Sequence, residues 1–222
     1  AATQRIAECP GTNYNPLFIY GGVGLGKTHL MHAVGNKMLQ NNPNCKILCV
    51  SAQNFMNDFT TAVRENTYDQ FNNKYHNVDA LFIDDVQYLC GDKRQIQNKL
   101  FEAFEKLVPY GKQIIFTSDT YARSLKAMDE RLISRFTSGL SVEVEPPELE
   151  TRAMILQKKA MANNFHLPDD VAFFIAKHLK SNVRELEGAL QRLMAYHMFR
   201  SAGPVTVEMA REALHSILIS ST

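Results

Sequence analysis

Gly21-Gly22-Val23-Gly24-Leu25-Gly26-Lys27-Thr28 decides how this chain is read. It spells G-x-x-x-x-G-K-[ST], a phosphate-cradling P-loop, at every required position. Leu17-Phe18-Ile19-Tyr20 before it is a short apolar run that reads as a buried strand, and His29-Leu30-Met31-His32-Ala33-Val34 after it opens a helix. Such a strand delivers the loop, and the helix N-terminus, with unpaired N–H groups and a partial positive charge, receives an anion. Glycines let the backbone close around phosphates without Cβ clashes. Lys27 is expected to reach the β- and γ-phosphates and the Thr28 hydroxyl to hold Mg²⁺. The candidate ATP or ADP contacts are Gly21, Gly22, Val23, Gly24, Leu25, Gly26, Lys27, Thr28 and His29. A glycine-rich turn is the plainer alternative for a lone Gly-Lys-Thr; the complete motif between a strand and a helix favours nucleotide.

Outward from the loop, apolar runs alternate with helical patterns. Strands are expected at Leu17–Tyr20, Ile47–Val50, Ala80–Ile83, Gln113–Thr117 and Leu140–Val144, and helices at Thr28–Leu39, Ala52–Arg64, Thr67–Tyr75, Arg94–Pro109 and Glu130–Arg135. Alternation of this kind predicts an α/β fold with a parallel sheet covered on both faces. At Glu145-Pro146-Pro147-Glu148 the prolines end the pattern. Residues 1–147 read as the nucleotide-binding part. Residues 148–222 read as a small all-helical part, with helices at Leu149–Asn164, Pro168–Leu179, Val183–Arg200 and Thr206–Ile219. Asp169 and Asp170 suit a first helical turn, Asn182 and Glu185 make a capping box, and Gly203-Pro204 ends the third helix.

The 222 residues carry a net charge of +1 and 45% hydrophobic side chains, enough for a sizeable core and no general affinity for nucleic acid. No apolar run approaches the ~18 residues that cross a bilayer, and the first residues lack a signal peptide's apolar core. Cys9, Cys45, Cys49 and Cys90 have no metal or redox spacing and read as reduced thiols of a cytoplasmic protein. The chain opens at Ala1 without Met and inside a helical pattern, which suggests an excised segment.

Ala80-Leu81-Phe82-Ile83-Asp84-Asp85 is an apolar strand ending in two carboxylates. In P-loop proteins such a strand is expected beside the P-loop strand, with Asp84 holding Mg²⁺ and Asp85 polarising the attacking water. Fast ATPases of this layout carry Glu at the second position. Asp is one methylene shorter, about 1.5 Å of reach, and a misplacement near 1 Å costs about a hundredfold, so hydrolysis is expected to be slow. The plainer alternative is a strand end solvated by acids. Ile114-Ile115-Phe116-Thr117-Ser118-Asp119 is a further buried strand whose Asp119 faces the same sheet edge or caps a turn. Arg131 and Arg135 lie at i and i+4 on one helix face, either salt-bridged to neighbours or supplying an arginine finger. Arg184 sits in the first turn of the helix capped at Asn182. A cation there opposes the dipole and hints at an anion nearby.

Together these motifs, with Ser181-Asn182-Val183-Arg184-Glu185-Leu186-Glu187-Gly188, Tyr14-Asn15-Pro16-Leu17 and Glu145-Pro146-Pro147-Glu148-Leu149-Glu150-Thr151-Arg152, resemble the AAA+ module of the bacterial chromosomal replication initiators, the DnaA family. The resemblance covers nearly the whole chain. It implies an AAA+ sheet followed by a helical lid and an ATP-dependent switch. It also implies assembly into a helical filament that opens origin DNA, with the replication helicase and regulators as further partners. Asp119 is then similar to sensor 1, Arg184 to sensor 2, Arg135 to the arginine finger offered to a neighbour's ATP, and Arg131 to the assembly arginine. Ala52–Tyr75 is similar to the initiator-specific helical insertion. The family's N-terminal partner-binding and C-terminal duplex-binding domains have no counterpart in these residues. Its Lys-x-Arg-[ST] motif for single-stranded DNA is irregular: Gly91-Asp92-Lys93-Arg94-Gln95-Ile96 leaves Arg94 or Gln95 in the Arg position. The implied DNA contacts are Lys93 and Arg94, with Thr60 on the insertion. An AAA+ helicase loader or adaptor is the alternative. A small-molecule kinase is disfavoured, because the chain ends in a helical part with a sensor-like Arg rather than an arginine-rich lid.

Overall fold

The structure, a computed structural model, describes residues 5–6, 8–12, 14–180, 182–200 and 203–220, with only the backbone of Ser220. Ser181 of the sensor-like motif and Ala1-Ala2-Thr3-Gln4 lie outside them. By backbone contacts the chain divides into two units: residues 1–21 with 26–144, and residues 22–25 with 145–222.

The first unit is built on β1 (Leu17–Tyr20), β2 (Ile47–Ser51), β3 (Ala80–Asp84), β4 (Gln113–Ser118) and β5 (Leu140–Glu143). They form one parallel sheet in the order β2-β3-β4-β1-β5. Central β4 is buried along its whole length, whereas edge strands β2 and β5 are mostly half-buried. Buried parallel strands need apolar residues on both faces, which is why β1, β3 and β4 read as near-continuous apolar runs, whereas the edge strand β5 alternates Leu140 and Val142 with Ser141 and Glu143. Alternate residues face opposite ways. Phe18, Leu81, Ile83, Ile114 and Phe116 join one core layer, while Leu17, Ile19, Phe82 and Ile115 join the other.

These faces are covered by α1 (Lys27–Asn41), α2 (Ala52–Glu65), α3 (Tyr68–His76), α4 (Arg94–Leu107) and α5 (Glu130–Ser138). Met31, Val34 and Met38 of α1 fill the second layer, and Phe55, Phe71, Leu100, Phe104 and Phe136 of the other helices fill the first. In α2 and α3 the rings of Phe55 and Tyr75 meet edge to face at 4.8 Å, a geometry that stabilises by about 1 kcal/mol beyond burial.

The strand order corrects one expectation. The acidic strand β3 does not lie beside the P-loop strand β1; β4 lies between them, paired with both. Its Ile114, Ile115 and Phe116 supply apolar surface to both layers, the requirement of a central strand. Pro109 is a smaller correction: α4 ends at Leu107, and the proline sits in a 3₁₀ turn over Val108–Tyr110.

The second unit holds α6 (Leu149–Ala162), α7 (Asp169–His178), α8 (Val183–Phe199), α9 (Val207–Ala213) and α10 (His215–Ser220). Leu156, Val171, Ile175, Leu186, Leu190, Leu193 and Leu214 form its core. The Asn182 carboxamide accepts from the Glu185 N–H at 2.9 Å, capping α8. The single helix expected over Thr206–Ile219 is two: the helix breaks at Leu214, which is buried and turns the chain so that both α9 and α10 apply apolar residues to the core.

Four carboxyl and imidazole groups of the first unit set an expected acid response. Burial disfavours the Asp58 carboxylate, yet hydrogen bonds from Lys74 and Tyr75 outweigh it and hold its pKa below the usual range. The Lys112 ammonium does the same for Asp79, and the Arg131 guanidinium for Asp129. Burial holds His76 below the ordinary imidazole value. All four favour the deprotonated form when folded, so each contributes stability above its unfolded pKa that is lost as pH falls. Urea midpoints are expected to decline gently below about pH 6.5, through His76, and steeply below about pH 4, through the aspartates. His76→Gln removes the gentle phase; a curve for that variant that overlays the wild type would contradict the assignment.

Candidate nucleotide-binding site

β1 ends at Tyr20, and the glycine loop carries the chain to α1. Gly26 is the residue before the helix, at φ 92° and ψ 19°. An added Cβ there meets nothing within 4 Å, so the left-handed backbone, not crowding, requires glycine. Lys27 opens the helix with its side chain almost fully buried, and its ammonium donates to the Gly21 carbonyl at 2.8 Å. That places a cation where the first-turn N–H groups of α1 already favour negative charge. His29, two residues into the helix, is exposed.

Thr28 and Asp84 come together. The Thr28 hydroxyl donates to Asp84 Oδ2 at 2.8 Å, across a sequence separation of 56 residues. Asp84 Oδ1 accepts from the Thr117 hydroxyl of β4. Both carboxylate oxygens are thus oriented by hydroxyls. An oxygen pair of this kind suits Mg²⁺, a hard cation that takes one or two protein oxygens and completes its shell with phosphate and water. No cluster of three or more His, Cys, Asp or Glu that suits a caged ion occurs among the described residues.

Asp85 follows immediately at φ 58° and ψ 53°, a left-handed conformation that costs a residue other than glycine about 1 kcal/mol. Its N–H donates to the Thr117 oxygen at 2.8 Å, so one buried hydroxyl serves both aspartates, giving its proton to Asp84 and accepting from Asp85. Asp85 Oδ1 accepts from Gln87 Nε2 at 3.0 Å. Gln87 Oε1 accepts from the Asp119 N–H at 3.3 Å, just past the end of β4. Asp84, Asp85 and Asp119 therefore lie in one connected network at the carboxyl ends of β3 and β4. Sequence reading missed Thr117 and Gln87. The only signal for Thr117 was a hydroxyl at the end of an apolar strand, and Gln87 had none.

Arg131 and Arg135 share the exposed face of α5. The Arg131 guanidinium forks onto Asp129 at 2.7 and 3.0 Å, reaches Asn98 at 2.6 Å and lies 4.8 Å from the Phe101 ring centroid. Arg135 pairs with Glu105 at 2.7 Å, with both side chains more than 40% exposed. Within one chain, this is the salt-bridged face that sequence reading offered as the plainer alternative.

Lys93 precedes α4, and its ammonium donates to the Tyr88 carbonyl. Arg94, the first residue of α4, is exposed, and the Thr60 hydroxyl donates to the Met56 carbonyl at 2.9 Å within α2. The side-chain bonds of Lys93 and Thr60 are thus local to separate segments. Arg184, in the first turn of α8, is exposed. Inside the second unit the Val183 N–H donates to the Gly24 carbonyl at 3.0 Å, and a Cβ on Gly24 would lie 3.1 Å from that of Arg184.

A parallel sheet with β4 between the P-loop strand and the acidic strand, a lysine and threonine opening α1, and a following helical unit define an AAA+ nucleotide-binding module. Residues 1–143 match the bacterial DnaA ATPase domain. The chain belongs to that family. It is 53% identical over 218 residues to the chromosomal replication initiator protein DnaA of Herminiimonas arsenicoxydans, covering 98% of this chain and 47% of that protein. Domain III of the Thermotoga maritima initiator superposes with a TM-score of 0.92 at 39% identity, covering 98% of this chain and 90% of that one. A replication initiator DnaA bound to AMPPCP and single-stranded DNA superposes with a TM-score of 0.76 at 31% identity, covering 95% of this chain and 73% of that one. The chain spans about half the length of the curated relatives it matches. No described helix is long and apolar enough to cross a membrane.

Proposed function

We propose that this chain is the ATP-binding and ATP-hydrolysing switch of a chromosomal replication initiator. The observation that carries the reading is the Thr28–Asp84 hydrogen bond. It joins the P-loop helix to the acidic strand across an intervening strand, an arrangement with a purpose when both oxygens serve one metal–phosphate complex. In this reading Gly21 to His29 contact the nucleotide, Lys27 binds the β- and γ-phosphates, and Thr28 and Asp84 hold Mg²⁺. When bound, the ion neutralises charge on the phosphate oxygens. Asp85 orients and polarises the attacking water, and its short reach keeps hydrolysis slow. Asp119 in the first unit and Arg184 in the lid report the γ-phosphate.

Arg135 serves the ATP of a neighbouring copy, and Arg131 supports the same junction. An exposed ion pair such as Arg135–Glu105 contributes at most about 1 kcal/mol, so exchanging Glu105 for a phosphate costs little. The ATP form assembles into a helical filament that engages single-stranded origin DNA and promotes duplex opening. The family membership and the DNA-bound relative support this part of the reading. The replication helicase and regulators are further partners in this reading.

DNA contact is assigned to Lys93 and Arg94, with Thr60 on the helical insertion Ala52–Tyr75 as a further contact. A net charge of +1 means that few cations neutralise phosphate. The salt dependence should therefore be shallow, with a slope of about −0.7 per phosphate contact, and tight binding should need an assembled array. Fluorescence anisotropy of a labelled oligonucleotide is expected to show binding with ATP and much weaker binding with ADP. Lys93→Ala combined with Arg94→Ala should lower the ATP-form affinity about tenfold or more. Equal binding with ADP, or binding untouched in the double variant, would overturn the assignment.

A further inference from the structure

We propose that Gln87 is a positioning residue for ATP hydrolysis, coupling Asp119 to the water-polarising Asp85 through the two ends of one carboxamide. The inference rests on the nucleotide reading given above. Gln87 Nε2 donates to Asp85 Oδ1 at 3.0 Å, and Gln87 Oε1 accepts from the Asp119 N–H at 3.3 Å. A primary carboxamide offers a donor and an acceptor in one fixed plane, so it can hold a carboxylate and a backbone N–H at a set separation.

Asp85 needs such a restraint. Its backbone is left-handed, and its N–H is already committed to Thr117. The backbone is thereby fixed, but the carboxylate still rotates about χ1 and χ2. The Gln87 bond to Oδ1 restrains that rotation and favours one orientation of the carboxylate. A side chain one methylene short of glutamate depends on its direction more than a longer one does, because a misplacement near 1 Å costs about a hundredfold. At its other end, Gln87 grips the backbone of the residue assigned to sense the γ-phosphate. A shift of Asp119 is then transmitted to the Asp85 carboxylate through two hydrogen bonds rather than through the sheet. Gln87 is half-buried in the 3₁₀ turn Val86–Leu89, whose apolar residues Val86 and Leu89 anchor it in the core. Its geometry is therefore set by packing and not by surface chance.

The test compares steady-state hydrolysis and ATP affinity for Gln87→Ala and Gln87→Glu, each also in an Asp85→Asn background. Gln87→Ala is expected to lower kcat about tenfold or more, with KM and the ATP dissociation constant within about twofold of wild type. Gln87→Glu keeps the size and the acceptor for Asp119, loses the donor, and sets a second carboxylate against Asp85. It should lower kcat at least as far, with an unchanged melting temperature. In the Asp85→Asn background, Gln87→Ala should change kcat by less than about twofold, because the residue acts through Asp85. Variants with intact ATP affinity and wild-type or faster turnover overturn the inference, as do equal proportional effects in both backgrounds. Loss of ATP affinity in both Gln87 variants also overturns it, by making Gln87 a folding residue. Failure of the wild-type chain itself to bind ATP is a different result, which removes the nucleotide reading.

Discussion

Lys27→Ala is expected to weaken binding of both ATP and ADP about a hundredfold or more. The substitution deletes the only side-chain cation of the Gly21–Thr28 loop, and that cation is buried beside the start of α1. A charge-assisted hydrogen bond in such a place contributes about 3 kcal/mol, which is two decades in a dissociation constant. Folding should survive, because alanine favours the first turn of a helix and leaves no buried charge behind. Calorimetric titration checks the affinity, and a circular dichroism melt checks the fold. A folded variant that binds ATP as tightly as the wild type would remove the P-loop from the account.

Arg135→Ala is expected to leave ATP affinity of the single chain within about twofold and to abolish ATP-dependent assembly. In one chain the guanidinium engages Glu105 on the outer face of α5, with the rings of Phe101 and Phe104 beneath it. Its proposed target is another copy's γ-phosphate. Fingers of this kind are worth about a thousandfold or more in phosphoryl transfer, so hydrolysis by assembled protein should fall with assembly. Light scattering with ATP against ADP reads the outcome. A variant that loses ATP affinity and still assembles would place Arg135 at its own chain's nucleotide.

The sheet was legible because β1, β3 and β4 are near-continuous apolar runs, buried on both faces, while the edge strand β5 alternates Leu140 and Val142 with Ser141 and Glu143. Their order was not. Parallel strands buried to the same depth carry no mark of which neighbours which, and β4 entered between β1 and β3 unannounced. Thr28 and Asp84 were legible as a pair because the motif fixes one and a carboxylate at a strand end fixes the other. Thr117 meets Asp85, and Gln87 meets Asp119, each across 32 residues, a proximity created by the fold, and no periodicity reports a single hydroxyl or amide. Arg131 and Arg135 were correctly set on one face by their spacing, but their partners on α4, Asn98 and Glu105, belong to another element. The break at Leu214 was hidden for a further reason. Neither glycine nor proline marks it, and the apolar pattern runs on while the helix axis changes.

In the proposed function, nucleotide state, through the site at Lys27, Thr28 and Asp84, controls assembly of this chain. Sedimentation velocity of the wild-type chain over a range of concentrations, with Mg²⁺-ATP or Mg²⁺-ADP, tests it most directly. Larger, concentration-dependent species are expected with ATP and a slow monomeric boundary with ADP. Identical boundaries in the two nucleotides, at concentrations where calorimetry shows both bound, would contradict it.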